Sequence, residues 1–175
     1  LAIAQVRPQK GAYEENLCRF GALFREVGSW PEPPELVVAP ETALTGYFLE
    51  GGVRDIAVSA GTLVKDLDEQ YRAAVPSLAP MDVGLGFYEV WNNSIYNSAL
   101  YVTLGGKEPV VRHVHRKVFL PTYGLFDEER FVDRGFEIRA FDTSWGRAAM
   151  LVCVVTAIRD QTSFGGKGAL CGAGE

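Results

Sequence analysis

The chain has 175 residues, 47% of them hydrophobic and 22% charged, a balance that suits one globular domain with a buried core and excludes a disordered or fibrous protein. Its net charge of −5 comes from interspersed acids and bases, which excludes the concentrated positive field that would hold nucleic acid or an anionic membrane. No apolar run approaches the ~20 residues of a membrane span, and the start Leu1–Val6 has no basic leader, so a cytoplasmic protein is expected.

Ala2–Val6 is an apolar run of strand length, punctuated by Pro8 and Gly11, and reads as a buried first strand. From Tyr13 the stripe Tyr13, Leu17, Phe20, Phe24 and Val27 marks an amphipathic helix ending near Gly28, with Glu14 and Glu15 where a helix N-terminus favours negative charge. A loop containing Pro31, Pro33 and Pro34 leads into Leu36–Ala39, a second buried strand. Leu63, Leu67, Tyr71 and Ala74 mark another helix that stops before Pro76. Strands are then expected at Val83–Tyr88, Tyr96–Thr103, Val110–His115 and Ala148–Cys153, with a turn at Gly105-Gly106. The order is that of a layered α/β protein without repeats or linkers. Gln161–Glu175 shows neither strand nor helix period and is rich in glycine, so residues 1–153 read as an incomplete domain and 154–175 as an atypical tail. With Leu1 at the start, this leads to the expectation of a fragment or frame-shifted product.

Three segments carry chemistry. Glu41 follows directly on the strand Leu36–Ala39, where a poorly solvated carboxylate is a strong proton acceptor; the same position also suits an exposed turn glutamate. Lys117 sits among aromatic and aliphatic residues, suited to stabilising an oxyanion, although a surface lysine is the commoner outcome. Cys153 ends an apolar strand. A free thiol is mostly protonated at neutral pH and needs an adjacent base to act as a nucleophile; without one it is an inert buried cysteine. Nucleophile, base and oxyanion stabiliser together are what acyl transfer from an amide or nitrile carbon requires. Cys18, Cys153 and Cys171, odd in number and widely spaced, form neither a disulfide framework nor a metal pair.

The segments PETALTGY, GFYE followed by YNSALY, HRKVFLPTYGLFDEERF and GRAAMLVC stand in the order and spacing of the nitrilase superfamily of carbon–nitrogen hydrolases, which the chain resembles up to Cys153. The stretch from Lys117 to Phe131 is especially similar to bacterial amidohydrolases and to the glutaminase domains of glutamine-dependent NAD synthetases. The resemblance implies part of a four-layer αββα sandwich whose subunits pair as homodimers. It implies Glu41 as general base, Lys117 as oxyanion stabiliser, Cys153 as the nucleophile of a thioester acyl-enzyme, and Glu128 as a second, substrate-positioning glutamate, with no cofactor or metal. Asp127 and Glu129 flank Glu128, and a solvated acidic turn is the competing reading of all three. The implied substrate is a small amide or nitrile, with N-carbamoyl compounds and glutamine equally open.

After Cys153 the sequence departs from the family, since Val154-Val155 stand where Glu-Asp is usual. A non-catalytic remnant acting through its surfaces is therefore the second reading. In a third, His113 and His115, two apart, face the same side of a strand as in some metal sites, without an evident third ligand. Gly165-Gly166-Lys167-Gly168 lacks phosphate-loop spacing, and Asn92-Asn93-Ser94 fits only a glycosylation pattern.

Overall fold

The computed structural model describes residues 1–47, 52–122 and 127–152. Among these residues seven strands and three α-helices follow in the order β1 (Ala2–Ile3), α1 (Tyr13–Gly28), β2 (Leu36–Val38), α2 (Val53–Ile56), α3 (Ala60–Ala74), β3 (Met81–Trp91), β4 (Ser94–Leu104), β5 (Val110–Arg116), β6 (Ala140–Thr143) and β7 (Gly146–Ala149). The first five strands form one sheet in chain order, parallel from β1 to β3 and antiparallel from β3 to β5, and β6 and β7 form a separate hairpin. This is the mixed α/β architecture that the sequence implies.

The two long helices form as their patterns predict. In α1 the stripe Leu17, Phe20, Phe24 and Val27 is buried; in α3 it is Leu63, Leu67, Tyr71 and Ala74, and Ser59 caps α3 by accepting from the Thr62 N–H at 3.0 Å. Both stripes cover one face of the sheet, where they meet Val83, Leu85 and Phe87 of β3 and Leu100, Val102 and Leu104 of β4. Phe24 packs edge-on against Tyr71 at 5.4 Å. Side chains alternate across a sheet, so the intervening residues Gly84, Gly86, Tyr88, Asn97, Ala99 and Tyr101 face the other side, together with His113 and His115.

That alternation corrects the expectation of fully buried β1 and β2. Val37 is buried under the helices, but its neighbour Val38 and the outward Ile3 are exposed, because part of the second face is bare among the described residues. Two further strand boundaries differ. β3 and β4 are longer than expected because Asn92 and Asn93, with φ of 47° and 66°, make the tight two-residue turn that asparagine tolerates. The final strand lies earlier than Ala148–Cys153: β7 covers Gly146–Ala149, paired with an unforeseen β6, and Met150–Val152 are outside it. Cys153 and the tail lie outside the described residues. Among the described residues no helix is long and apolar enough to cross a membrane.

The β6–β7 hairpin lies over the second face. Phe141 stacks on His113 at 4.8 Å and packs against Tyr101 at 5.0 Å, while the Trp145 indole N–H donates to the Tyr101 hydroxyl at 3.2 Å. Burial pushes both histidines below their ordinary value of 6.5, helped by Arg139 at His113, against the opposing charge of Glu137, and by His113 at His115. A depressed imidazole favours the neutral form in the fold, so its stability contribution is present above pH 6.5 and is lost as pH falls through the folded value. Denaturation midpoints measured from pH 8 down to 5 should therefore fall on the acid side, and the His113→Gln/His115→Gln double variant should flatten that fall. An equally steep fall in the double variant would assign the acid sensitivity to other groups.

Candidate active site

The site begins with a turn that the sheet leaves room for. Pro40 to Thr45 follows β2 and folds back across β3, where the Gly86 N–H donates to the Pro40 carbonyl at 3.1 Å and the Ala43 N–H to the Gly86 carbonyl at 2.9 Å. A Cβ at Gly86 would stand 2.6 Å from both Glu41 Cα and Thr42 N, so only glycine lets the turn lie this close. Thr42 holds a left-handed φ of 51°, unusual for a β-branched residue. Two tethers offset that strain. Asn16 on α1 donates to the Leu44 carbonyl at 2.8 Å, and the Gly11 N–H donates to the Thr45 carbonyl at 2.8 Å. Glu41 is thereby fixed over the inner face of the sheet.

Lys117, the residue after β5, arrives from the other side. Its backbone N–H donates to the Asn97 carbonyl at 2.8 Å, and its own carbonyl accepts from the Gly135 N–H at 2.8 Å. A Cβ on Gly135 would sit 2.1 Å from the Arg116 carbonyl oxygen, so this close crossing also requires glycine. The preceding Arg116 points to the helix-covered face. There it grips the buried Glu89 carboxylate with Nε and Nη2, both at 2.8 Å, and lies 3.8 Å over the Trp91 ring, while the Ser98 hydroxyl also donates to Glu89 at 2.8 Å.

The lysine is not at the surface. With 2% of its side chain exposed, its ammonium lies 2.9 Å from Glu41 Oε1 and 2.8 Å from Glu128 Oε2. Glu128 opens a 3₁₀ turn, Glu128–Arg130, and is 0% exposed, so it is no part of a solvated acidic surface. Burial alone would lower the lysine's pKa, but hydrogen bonds and charge from Glu128 and Glu41 outweigh it and hold the ammonium above its ordinary value of 10.5. The arrangement keeps a positive charge fixed between two carboxylates throughout the neutral range.

Asn97 completes the cluster. Its side-chain N–H2 donates to Glu41 Oε1 at 2.6 Å and to Glu128 Oε1 at 2.9 Å, and Tyr47 hydrogen-bonds to Glu128 as well, its phenol pushed far above the ordinary value by burial and that carboxylate. Asn97 and Tyr47 stand within the YNSALY and PETALTGY segments, which by themselves give neither residue a role. The available signal is a polar residue on the inward side of an otherwise apolar strand. Thus Glu41, Lys117 and Glu128 meet, whereas Cys153 lies outside the described residues. Cys18 is exposed on α1, far from this role. His113 and His115 do share a face, with ring centroids 6.4 Å apart, but among the described residues no three His, Cys, Asp or Glu side chains are grouped to hold a metal.

The sequence model of carbon–nitrogen hydrolases matches residues 1–159. The chain belongs to the carbon–nitrogen hydrolase family. Among its curated relatives, a probable nitrilase of Schizosaccharomyces pombe is 28% identical over an alignment of 166 positions that covers 90% of this chain and 55% of the relative. The glutamine-dependent NAD(+) synthetase of Acinetobacter baylyi is 26% identical over 157 residues, 87% of this chain and 26% of that protein. This carbon–nitrogen hydrolase chain therefore spans about half the length of the one and a quarter of the other. Solved structures share the fold: the glutamine-dependent NAD+ synthetase of Acinetobacter baumannii superposes with a TM-score of 0.65 at 22% identity, over 85% of this chain and 27% of that one. Saccharomyces cerevisiae Nit3, a nitrilase-superfamily member, superposes with a TM-score of 0.62 at 19% identity, over 83% and 52% of the two chains.

The two glycines on the inner face of β3 offer a controlled test of the site's frame. Gly86→Ala forces the Glu41 turn away from the sheet and should cost about 1–3 kcal/mol in denaturant unfolding. Gly84→Ala, whose Cβ would meet only Met150 at 3.4 Å and Tyr101 at 3.9 Å, should cost clearly less. Equal costs would show that the turn is free to move.

Proposed function

We propose that this carbon–nitrogen hydrolase cleaves an amide or nitrile through a thioester on Cys153, with Glu41 as general base and Lys117 as oxyanion stabiliser. The observation that carries the reading is the buried ammonium clamped between Glu41 and Glu128. The hydrogen bonds from Lys117 and Asn97 to Glu41 among the described residues both fall on Oε1, and Oε2 is taken as the proton acceptor. Glu128 is engaged through both of its oxygens and wholly buried, which suits a fixed charge that positions rather than a base that cycles.

For an amide, the Cys153 thiol gives its proton to Glu41 and the thiolate attacks the carbonyl carbon. The developing oxyanion takes a hydrogen bond from the ammonium, which has three N–H donors and meets two carboxylates among the described residues. Glu41 returns the proton to the leaving nitrogen, the C–N bond breaks, and ammonia departs. Water, deprotonated by Glu41, then attacks the thioester, which yields the acid and the free thiol. Glutamine and small primary amides are the substrate classes closest to the NAD(+) synthetase relatives, and nitriles to the nitrilase relative. The protein is further proposed to be cytoplasmic and to pair with a second copy.

The competing reading, a non-catalytic remnant, is favoured by Val154-Val155 in the place of Glu-Asp. Thiol alkylation near neutral pH separates the two. Cys153 should react at least tenfold faster than the exposed Cys18, and ammonia release across a panel of amides, nitriles and N-carbamoyl compounds should vanish in Cys153→Ala. Uniformly slow labelling without ammonia release from any substrate favours the remnant, and turnover surviving in Cys153→Ala removes that residue from the mechanism.

A further inference from the structure

The cluster around Lys117 is joined by one neutral side chain, that of Asn97. Asn97 stands on β4 opposite Tyr88 of β3 and is 0% exposed. It touches three parts of the site at once. One N–H of its side chain goes to Glu41 and the other to Glu128, while its backbone carbonyl accepts from the Lys117 N–H. These partners come from the turn after β2, the 3₁₀ turn and the end of β5, so no local structure would bring them together.

The side chains close into a ring: Glu41 Oε1, Asn97 Nδ2, the Glu128 carboxylate, Lys117 Nζ, and back to Glu41 Oε1. Donors and acceptors alternate around it. Two carboxylates this close repel unless a donor stands at each junction, and one cation supplies only one junction. A second cation in the other place would neutralise the base, whereas an acceptor would drive the carboxylates apart. A neutral group with two N–H donors satisfies both constraints. The amide's orientation follows, since only its N–H2 can face two carboxylates. That orientation leaves Asn97 Oδ1 buried without a donor among the described residues, a cost that a residue kept for packing alone would not carry.

Resting on the reading of Glu41 as base, we infer that Asn97 is a positioning residue: its amide holds Glu41 and Glu128 about Lys117 and decides which oxygen of Glu41 remains to take the thiol proton. The groups around it are Glu41, Glu128 and Lys117, with Tyr47 on Glu128. Removing the amide takes away one of the two donors that orient Glu41, so the carboxylate is no longer held in one place and any step that needs it as base slows.

The test is the rate of Cys153 alkylation by iodoacetamide at neutral pH in the full chain, with Cys18 as internal reference and circular dichroism melting alongside. Asn97→Ala should slow Cys153 about tenfold relative to Cys18. Asn97→Thr, which suits a strand and keeps one hydroxyl donor, should restore part of that rate. A role in packing alone would lower the melting temperature and leave the ratio of the two rates unchanged, and that result, or wild-type ratios in both variants, overturns the inference. Should Asn97→Ala fail to fold, the Thr variant decides on the same criterion. Failure of the underlying reading is distinct: wild-type Cys153 would then label no faster than Cys18 at any pH, and the inference would fall with it.

Discussion

The site depends on one buried charge. Moving an ammonium out of water costs several kcal/mol even after relaxation, and Lys117, 2% exposed, bears that cost only because two carboxylates stand within 2.9 Å. Such pairs are seldom net stabilisers, since apolar side chains of the same volume would often serve a fold as well or better. A cluster of this kind is therefore better explained by what it does than by what it holds together. It keeps an ammonium charged between two carboxylates from distant parts of the chain.

The rest of the structure supplies the frame for that charge. Glu41 and Lys117 are 76 positions apart, and each reaches the cluster through a backbone crossing too tight for any side chain, at Gly86 and Gly135. Asn16 on α1 reaches the Glu41 turn, so the helix layer fixes a residue on the opposite face of the sheet. On the helix side, Glu89 takes Arg116 into a two-pronged pair. Adjacent cations at the end of β5 are thus sent to opposite faces, each with its own carboxylate partners. Neither has reason to exchange with the other.

Much of this was legible in the sequence, and for identifiable reasons. The helices α1 and α3 announce themselves because each buries one stripe at helical spacing, and Glu41 and Lys117 stand in segments with unusual polar content beside apolar strands, whereas Glu128 follows only from the family resemblance. The burial of Lys117 and Glu128 is not legible there: a lysine or glutamate in a loop is ordinarily solvated, and only tertiary pairing, of Lys117 with Glu128 11 positions on and with Glu41 76 positions back, makes the reverse favourable. Asn97 carries no signal of its own, because an asparagine in a strand has no chemistry until two carboxylates stand beside it. Asn92-Asn93 does carry one, since a pair of asparagines tolerates the left-handed backbone of a tight turn as well as fitting a glycosylation pattern. The exposure of Ile3 and Val38 follows from what packs on the sheet rather than from their apolar run.

The central claim is that Lys117 and Glu128 act as a coupled buried pair, and a double-mutant cycle with Lys117→Met and Glu128→Gln measures it directly. Unfolding free energies of the wild type, the two single variants and the double variant should reveal a coupling of about 1–3 kcal/mol, each single change being costly because it strands the other charge. Additive effects, with coupling within about 0.5 kcal/mol of zero, would show that the ammonium is not held by this carboxylate and would contradict the account.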